Sequence, residues 1–139
     1  TLYMWYTGSR QAHGTGGRFV SAIGMATLRK DGFVALRCGI RGGELMTEPV
    51  EVTGPQLSVN AICLFGRLQI RVIDDVSVPE GYDFAACNAL ERRDDTDCSI
   101  TWGEEKRDLS PFVGKKIRLH IQADNATSLF SYRFGPVVS

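Results

Sequence analysis

The chain has 139 residues, with 16 Lys and Arg balancing 16 Asp and Glu, and 43% of its residues are hydrophobic. That length suits one domain with a short appendage, large enough to bury a core without metal or disulfide staples. Zero formal charge leaves no field to draw in nucleic acid or an anionic membrane surface. No apolar run nears the ~20 residues of a membrane helix. No basic segment leads into an apolar one, so no signal peptide is read. The chain starts without Met on TLYMWY, already strand-like, and reads as processed, truncated or fragmentary. A processed chain would be secreted or periplasmic.

From the N-terminus, LYMWYT and FVSAIGMATL are expected strands of a hairpin, joined by the loose loop GSRQAHGTGGR at 8–18. Lys30-Asp31-Gly32 carries the Asp-Gly pair favoured in hairpin turns. RGGE, TGPQ, VPEGY and DNAT are further breaks. QLSVNAIC places Leu57, Val59, Ala61 and Cys63 on one side, and FGR at 65–67 reads as a tight turn. RLQIRVI then sets Leu68, Ile70 and Val72 opposite Arg67, Gln69 and Arg71. CSITW groups Cys98, Ile100 and Trp102. DLSPFVG allows one helical turn at most, because of its Pro and closing Gly. KIRLHIQA sets Ile117, Leu119, Ile121 and Ala123 opposite Arg118, His120 and Gln122, and LFSYRF groups Phe130, Tyr132 and Phe134. Period-two alternation with polar partners describes half-buried antiparallel strands. About nine such runs predict an all-β fold: an antiparallel, jelly-roll-like β-sandwich over 32–139 preceded by a β-hairpin over 1–31.

Little catalytic chemistry is legible. HGTGGR lacks the Gly-Lys-Ser/Thr ending of a phosphate loop and no helix follows it. Cys38, Cys63, Cys87 and Cys98 show no metal-ligand spacing. They read as buried free thiols, with a Cys87–Cys98 disulfide as the alternative. Asp74-Asp75 and Asp94-Asp95-Asp97 read as solvated loop charges rather than calcium ligands. His13 lies in the loose loop and His120 reads as a surface histidine, so no Ser-His-Asp or Cys-His set assembles. Asn125-Ala126-Thr127 matches a glycosylation sequon but reads first as a turn. No cofactor or metal is expected. Trp5, Tyr6, Tyr82 and Phe84 are the candidate sugar-binding aromatics, because sugar CH faces stack on rings. Trp102 and Phe134 fall on core faces.

YMWYTG followed by IGMATLRKDGF resembles the last propeller strands of five-bladed propeller glycosidases of the invertase and arabinanase kind, as found in bacteria. The following segments, GELMTEPVEVTGPQLSVNA, GRLQIRVID, GYDFAAC and ITWGEEKRDLSPFVGKKIRLHIQADNATSLFSYRF, are similar to the β-sandwich that closes such chains. The resemblance covers roughly residues 2 to 134 and specifies architecture better than activity. It implies an accessory module of a glycoside hydrolase, binding glycan weakly or supporting a propeller catalytic domain. The catalytic carboxylates of that family belong to earlier blades, so no catalytic residue carries over onto this chain. A face once turned to a propeller, and open sandwich edges, would allow a homodimer. Two other readings stand beside this one. A hydrolase needs an inward-facing carboxylate pair, and an interaction module would show a large flat apolar patch.

Overall fold

A computed structural model describes residues 1–10 and 20–136. Residues 11–19, and with them His13 and HGTGGR, lie outside that description, as do 137–139. The described chain is all-β apart from one 3-10 turn, Ser110–Phe112, entered through Pro111. It divides into two compact units, Thr1–Phe33 and Val34–Ser139.

The first unit is a hairpin of β1 (Leu2–Ser9) and β2 (Ser21–Leu28), paired antiparallel from Leu2↔Leu28 to Ser9↔Ser21. Strand side chains alternate, so the register gathers Tyr3, Trp5, Ile23 and Met25 on one face. Leu2, Met4, Tyr6, Ala26 and Leu28 fall on the other. The Tyr6 ring lies across Gly24, where any Cβ would overlap it. Beyond β2, Gly32 N–H donates to Arg29 O and Asp31 adopts φ 52°, so the Lys-Asp-Gly turn forms. It does not make a hairpin, because β2 pairs with β1 and the next strand pairs elsewhere.

The second unit is sandwich-like, but one sheet supplies both layers. Its strands are β3 (Leu36–Arg37), β4 (Gly43–Met46), β5 (Val50–Glu51), β6 (Leu57–Asp74), β7 (Leu90–Ile100), β8 (Lys116–Ala123) and β9 (Ser128–Phe134). All the pairings are antiparallel, and β6 organises them. Its first half lies between β7 and β9, and its second half pairs with β8. β8 in turn carries β4 and β5, and β9 carries β3. The expected turn at Phe65-Gly66-Arg67 is instead a bend inside this single 18-residue strand, where its register to β7 shifts between Cys63 and Arg67. Irregularities of this kind bend a strand and let the sheet curl back on itself. Gly66 is required there because a Cβ would collide with the Asp124 carbonyl and Thr127 Oγ1.

The curl closes on one core. Leu57, Val59, Ala61 and Cys63 meet Leu68, Ile70 and Val72 from the same strand, with Ile100 of β7 and Ile117, Leu119 and Ile121 of β8. The β6 register to β9 shifts at Asn60/Ala61, setting Leu129 opposite Ala61. Leu129, Tyr132 and Phe134 therefore pack on the core, and Phe130, expected among them, does not.

The free edge of β6 is closed without a strand. Ile70 N–H donates to Cys87 Sγ at 3.3 Å, Trp102 Nε1–H donates to Ile70 O at 2.9 Å, and Val72 N–H donates to Tyr82 O at 3.0 Å. A loop and an indole thus satisfy buried backbone groups that would otherwise stand unpaired.

Candidate functional site

Alternation sends Gln69 and Arg71 of β6, and Arg118, His120 and Gln122 of β8, to the face away from the core. The register sets Gln69 beside Gln122 and Arg71 beside His120. On the far side of β8, Glu44 and Met46 of β4 stand beside Gln122 and His120. Two rows result: Glu44–Gln122–Gln69 and Met46–His120–Arg71.

These side chains bind one another in a fixed order. Arg71 Nε–H donates to His120 Nδ1 at 2.9 Å, and Nε2 of the same ring lies 2.9 Å from Glu44 Oε2. Because an arginine donates to Nδ1, that nitrogen carries a lone pair, which places the ring proton on Nε2 toward Glu44. Gln122 Nε2 donates to the other oxygen of Glu44 at 3.3 Å, and Gln69 Nε2 donates to Phe84 O at 2.7 Å. The Arg71 guanidinium sits 4.9 Å from the Phe84 ring centroid, within cation–π range, and the Phe84 and His120 rings meet at 5.1 Å. His120 is consequently only 7% exposed. The surface histidine expected from alternation is on the outer face, but Phe84, Arg71 and Glu44 cover it.

Beside these rows lies an open cleft of about 520 Å³, lined by Arg41, Glu44, Arg67, Gln69, Gln122 and Asp124 with the glycines of the 42–43 turn. The turn from Gly39 to Gly42 closes with Gly42 N–H donating to Gly39 O. Gly42 has φ 95° and so close an approach to Ala123 O that a side chain would not fit. On the other rim, Arg67 N–H donates to Asp124 Oδ1 at 2.8 Å, and its guanidinium lies 3.4 Å from Glu91. The core side of the same strands holds a second, apolar cavity of about 290 Å³ between Leu36, Leu45, Leu68, Ile121 and Leu129.

Within neither unit do the two expected aromatics share one exposed surface. Trp5 and Tyr6 are consecutive in β1 and point to opposite faces of the hairpin, so they cannot share a platform. Tyr82 is a correction: it is 6% exposed, meets Phe112 edge-on at 4.9 Å and Trp102 at 5.2 Å, and donates its hydroxyl to Asp108 O. Its ring belongs to the core, because the loop carrying it has to close the β6 edge. Phe84 is half-buried as the cover of His120. Trp102 is fully buried, as its face predicted.

The cysteines are free thiols, with Cys63, Cys87 and Cys98 buried and Cys38 half-buried. Burial pushes the Cys63 and Cys87 thiols above their ordinary value of 9.0 and the Tyr82 phenol above 10.0. The second acidic cluster lies on β7 rather than in a loop, and Asp97 holds Arg133 at 2.6 Å. Among the described residues no three His, Cys, Asp or Glu side chains are arranged to hold a metal ion. No described helix is long and apolar enough to cross a membrane. Sequence reasoning passed over Glu44, Gln69 and Gln122. Their signal was present in the polar half of each alternating strand, but only the β4–β8–β6 register shows that those halves adjoin.

No protein-family model matches the chain, and neither does any curated protein or solved structure.

Proposed function

We propose that this chain is a non-catalytic accessory module of a carbohydrate-active protein, its hairpin completing a blade of a propeller catalytic domain and its sandwich supporting that domain. One observation carries the reading: the hairpin is apolar on both faces. Trp5 and Ile23 on one face are 71% and 75% exposed, and Leu2, Met4 and Tyr6 on the other are exposed as well. A two-stranded hairpin is at best marginally stable alone, and apolar residues on both faces suit strands covered from both sides. Propeller blades are such strands, each four-stranded sheet flanked by its neighbours. The sequence resemblance of YMWYTG and IGMATLRKDGF to closing blade strands points the same way.

Hydrogen exchange on the purified chain tests this. Amides of β1 and β2 should exchange far faster than those of β6 and β8, because both faces of the hairpin are exposed in this chain. Equal protection would mean that this chain or a second copy covers the hairpin, and the reading would fall. Aryl glycosides incubated with the pure chain should stay intact, and their hydrolysis would overturn the non-catalytic half.

A further inference from the structure

We infer that the cleft beside the Glu44–Gln122–Gln69 row is a binding site for a neutral, hydroxyl-rich ligand, a saccharide; choosing a saccharide among polyols rests on the proposed carbohydrate role. The floor is built, not incidental. His120 is almost fully buried, yet its Nε2 is spent on Glu44, fixing that carboxylate from behind. The second oxygen of Glu44 is held by Gln122, and Gln69 is held by the Phe84 carbonyl. Each glutamine therefore spends one of its two amide N–H donors on the protein, which fixes the side chain, and keeps the other. Their amide oxygens take no hydrogen-bond donor among the described residues. Supporting contacts of this kind hold binding groups in place before the ligand arrives.

The donor and acceptor inventory selects the ligand. The floor offers oxygen acceptors and the remaining amide N–H donors of the two glutamines, and the rim offers the guanidinium donors of Arg41 and of Arg67, whose Nε lies beside Glu91. A hydroxyl group donates and accepts at once, so a sugar ring can satisfy both. Two arginines and two carboxylates, Glu44 and Asp124, line the cleft, so the lining carries no net charge, and Glu91 beside Arg67 adds a third carboxylate at the rim. A phosphate or uronate would gain from Arg41 and Arg67 only what it lost beside Glu44 and Asp124. The volume lies within the ~300–1,000 Å³ of ordinary ligand pockets. No aromatic ring lines the cleft, so stacking adds nothing and millimolar affinity is expected.

The test uses the full chain, labelled with ¹⁵N and followed by side-chain amide resonances. It is titrated with neutral tetrasaccharides of glucose, galactose and arabinose, with tetragalacturonate and glycerol as controls. At least one neutral sugar should shift the Gln69 and Gln122 side-chain signals saturably, and glycerol should not. The Gln69→Ala/Gln122→Ala variant should bind that sugar about tenfold or more weakly. If the double variant fails to fold, Gln122→Met keeps the side chain's size and carries the same expectation. Absence of a saturable shift with every neutral sugar, a stronger response to tetragalacturonate, or undiminished binding by the variant would overturn the inference. If sugars fail while the hairpin amides exchange fast, the cleft assignment falls and the accessory reading stands.

Discussion

Replacing Trp102 by Phe tests how the sandwich unit closes its main strand. Trp102 is fully buried, and its Nε1–H supplies the partner of Ile70 O at 2.9 Å. Ile70 itself is fully buried, so water cannot take over the bond in an intact fold. Phenylalanine keeps much of the ring but leaves that carbonyl unpaired, which costs about 1–3 kcal/mol. The volume lost beside Tyr82 adds roughly 1 kcal/mol. A total near 2–4 kcal/mol corresponds to a fall of about 10–20 °C in Tm for a domain of roughly 100 residues. Far-UV circular dichroism in a urea titration is the suitable assay, because tryptophan fluorescence would lose the residue being replaced. The bond is separated from packing by benzothienylalanine at 102, which replaces the indole N–H by sulfur at nearly constant shape. That variant should retain about 1–3 kcal/mol of the loss. If it unfolds within about 0.5 kcal/mol of the natural chain, as a neutral substitution does, the claim that an indole stands in for a neighbouring strand is refuted.

Other consequences are equally direct. Cys63, Cys87 and Tyr82 are held neutral by burial, with pKa values raised above 9.0, 9.0 and 10.0. The unfolded chain therefore releases these protons first, and stability is full below pH 9 and falls as pH rises above it. Urea midpoints that stay flat from pH 8 to about 11 would contradict that linkage. Cys63 and Cys87 should resist a thiol reagent in the native chain, whereas all four thiols should react after denaturation without reductant; fewer than four would reveal a disulfide. Gly66→Ala drives a methyl into the Asp124 carbonyl and should cost about 1–3 kcal/mol, and an unchanged urea midpoint would show that the β6 bend has room. His120→Leu removes both the acceptor of Arg71 and the donor to Glu44. It should cost about 1–3 kcal/mol and broaden the Gln122 side-chain signals; unaltered signals would mean that His120 does not fix the row.

Legibility differed between faces and connections. The buried sets Leu68–Ile70–Val72 and Ile117–Leu119–Ile121 follow from alternation alone, since period-two patterning records which side meets the core. The same rule puts Phe130 on the core side, whereas Leu129 takes that position. A register shift in the β6–β9 pairing moves the inward position to Leu129, and nothing in LFSYRF marks the shift. Phe65-Gly66-Arg67 has turn composition, yet Gly66 serves a close backbone approach inside a continuous strand. Lys30-Asp31-Gly32 makes its turn, but local chemistry cannot say whether the strands on either side pair. Tyr82 carries the loop composition of an exposed residue, and only the vacant edge of β6 explains its burial. Local sequence thus shows facing where the register is regular, whereas bulges, bends and partnering depend on residues far along the chain.

The same distinction explains why the polar row was hidden. Each of its strands shows ordinary outward polar residues, and none of Glu44, Gln69 or Gln122 is unusual where it stands. What sets them apart is the expense behind them. A sheet face bathed in water has no need of a histidine with both ring nitrogens bonded, yet His120 is covered by a phenylalanine and capped by an arginine. A conformationally free glutamate on that face would lose little by pointing elsewhere, because Glu44 is more than half exposed and water can take over its hydrogen bonds. Holding Glu44 through a buried ring therefore adds little to stability beyond the bond that the same ring accepts from Arg71. It is repaid in geometry, since the row keeps one arrangement whether or not a ligand is present, and a ligand then loses less on binding. His120→Leu should accordingly weaken sugar binding although it leaves every cleft-lining residue in place. A variant that lost stability but bound as before would show that His120 serves the fold alone.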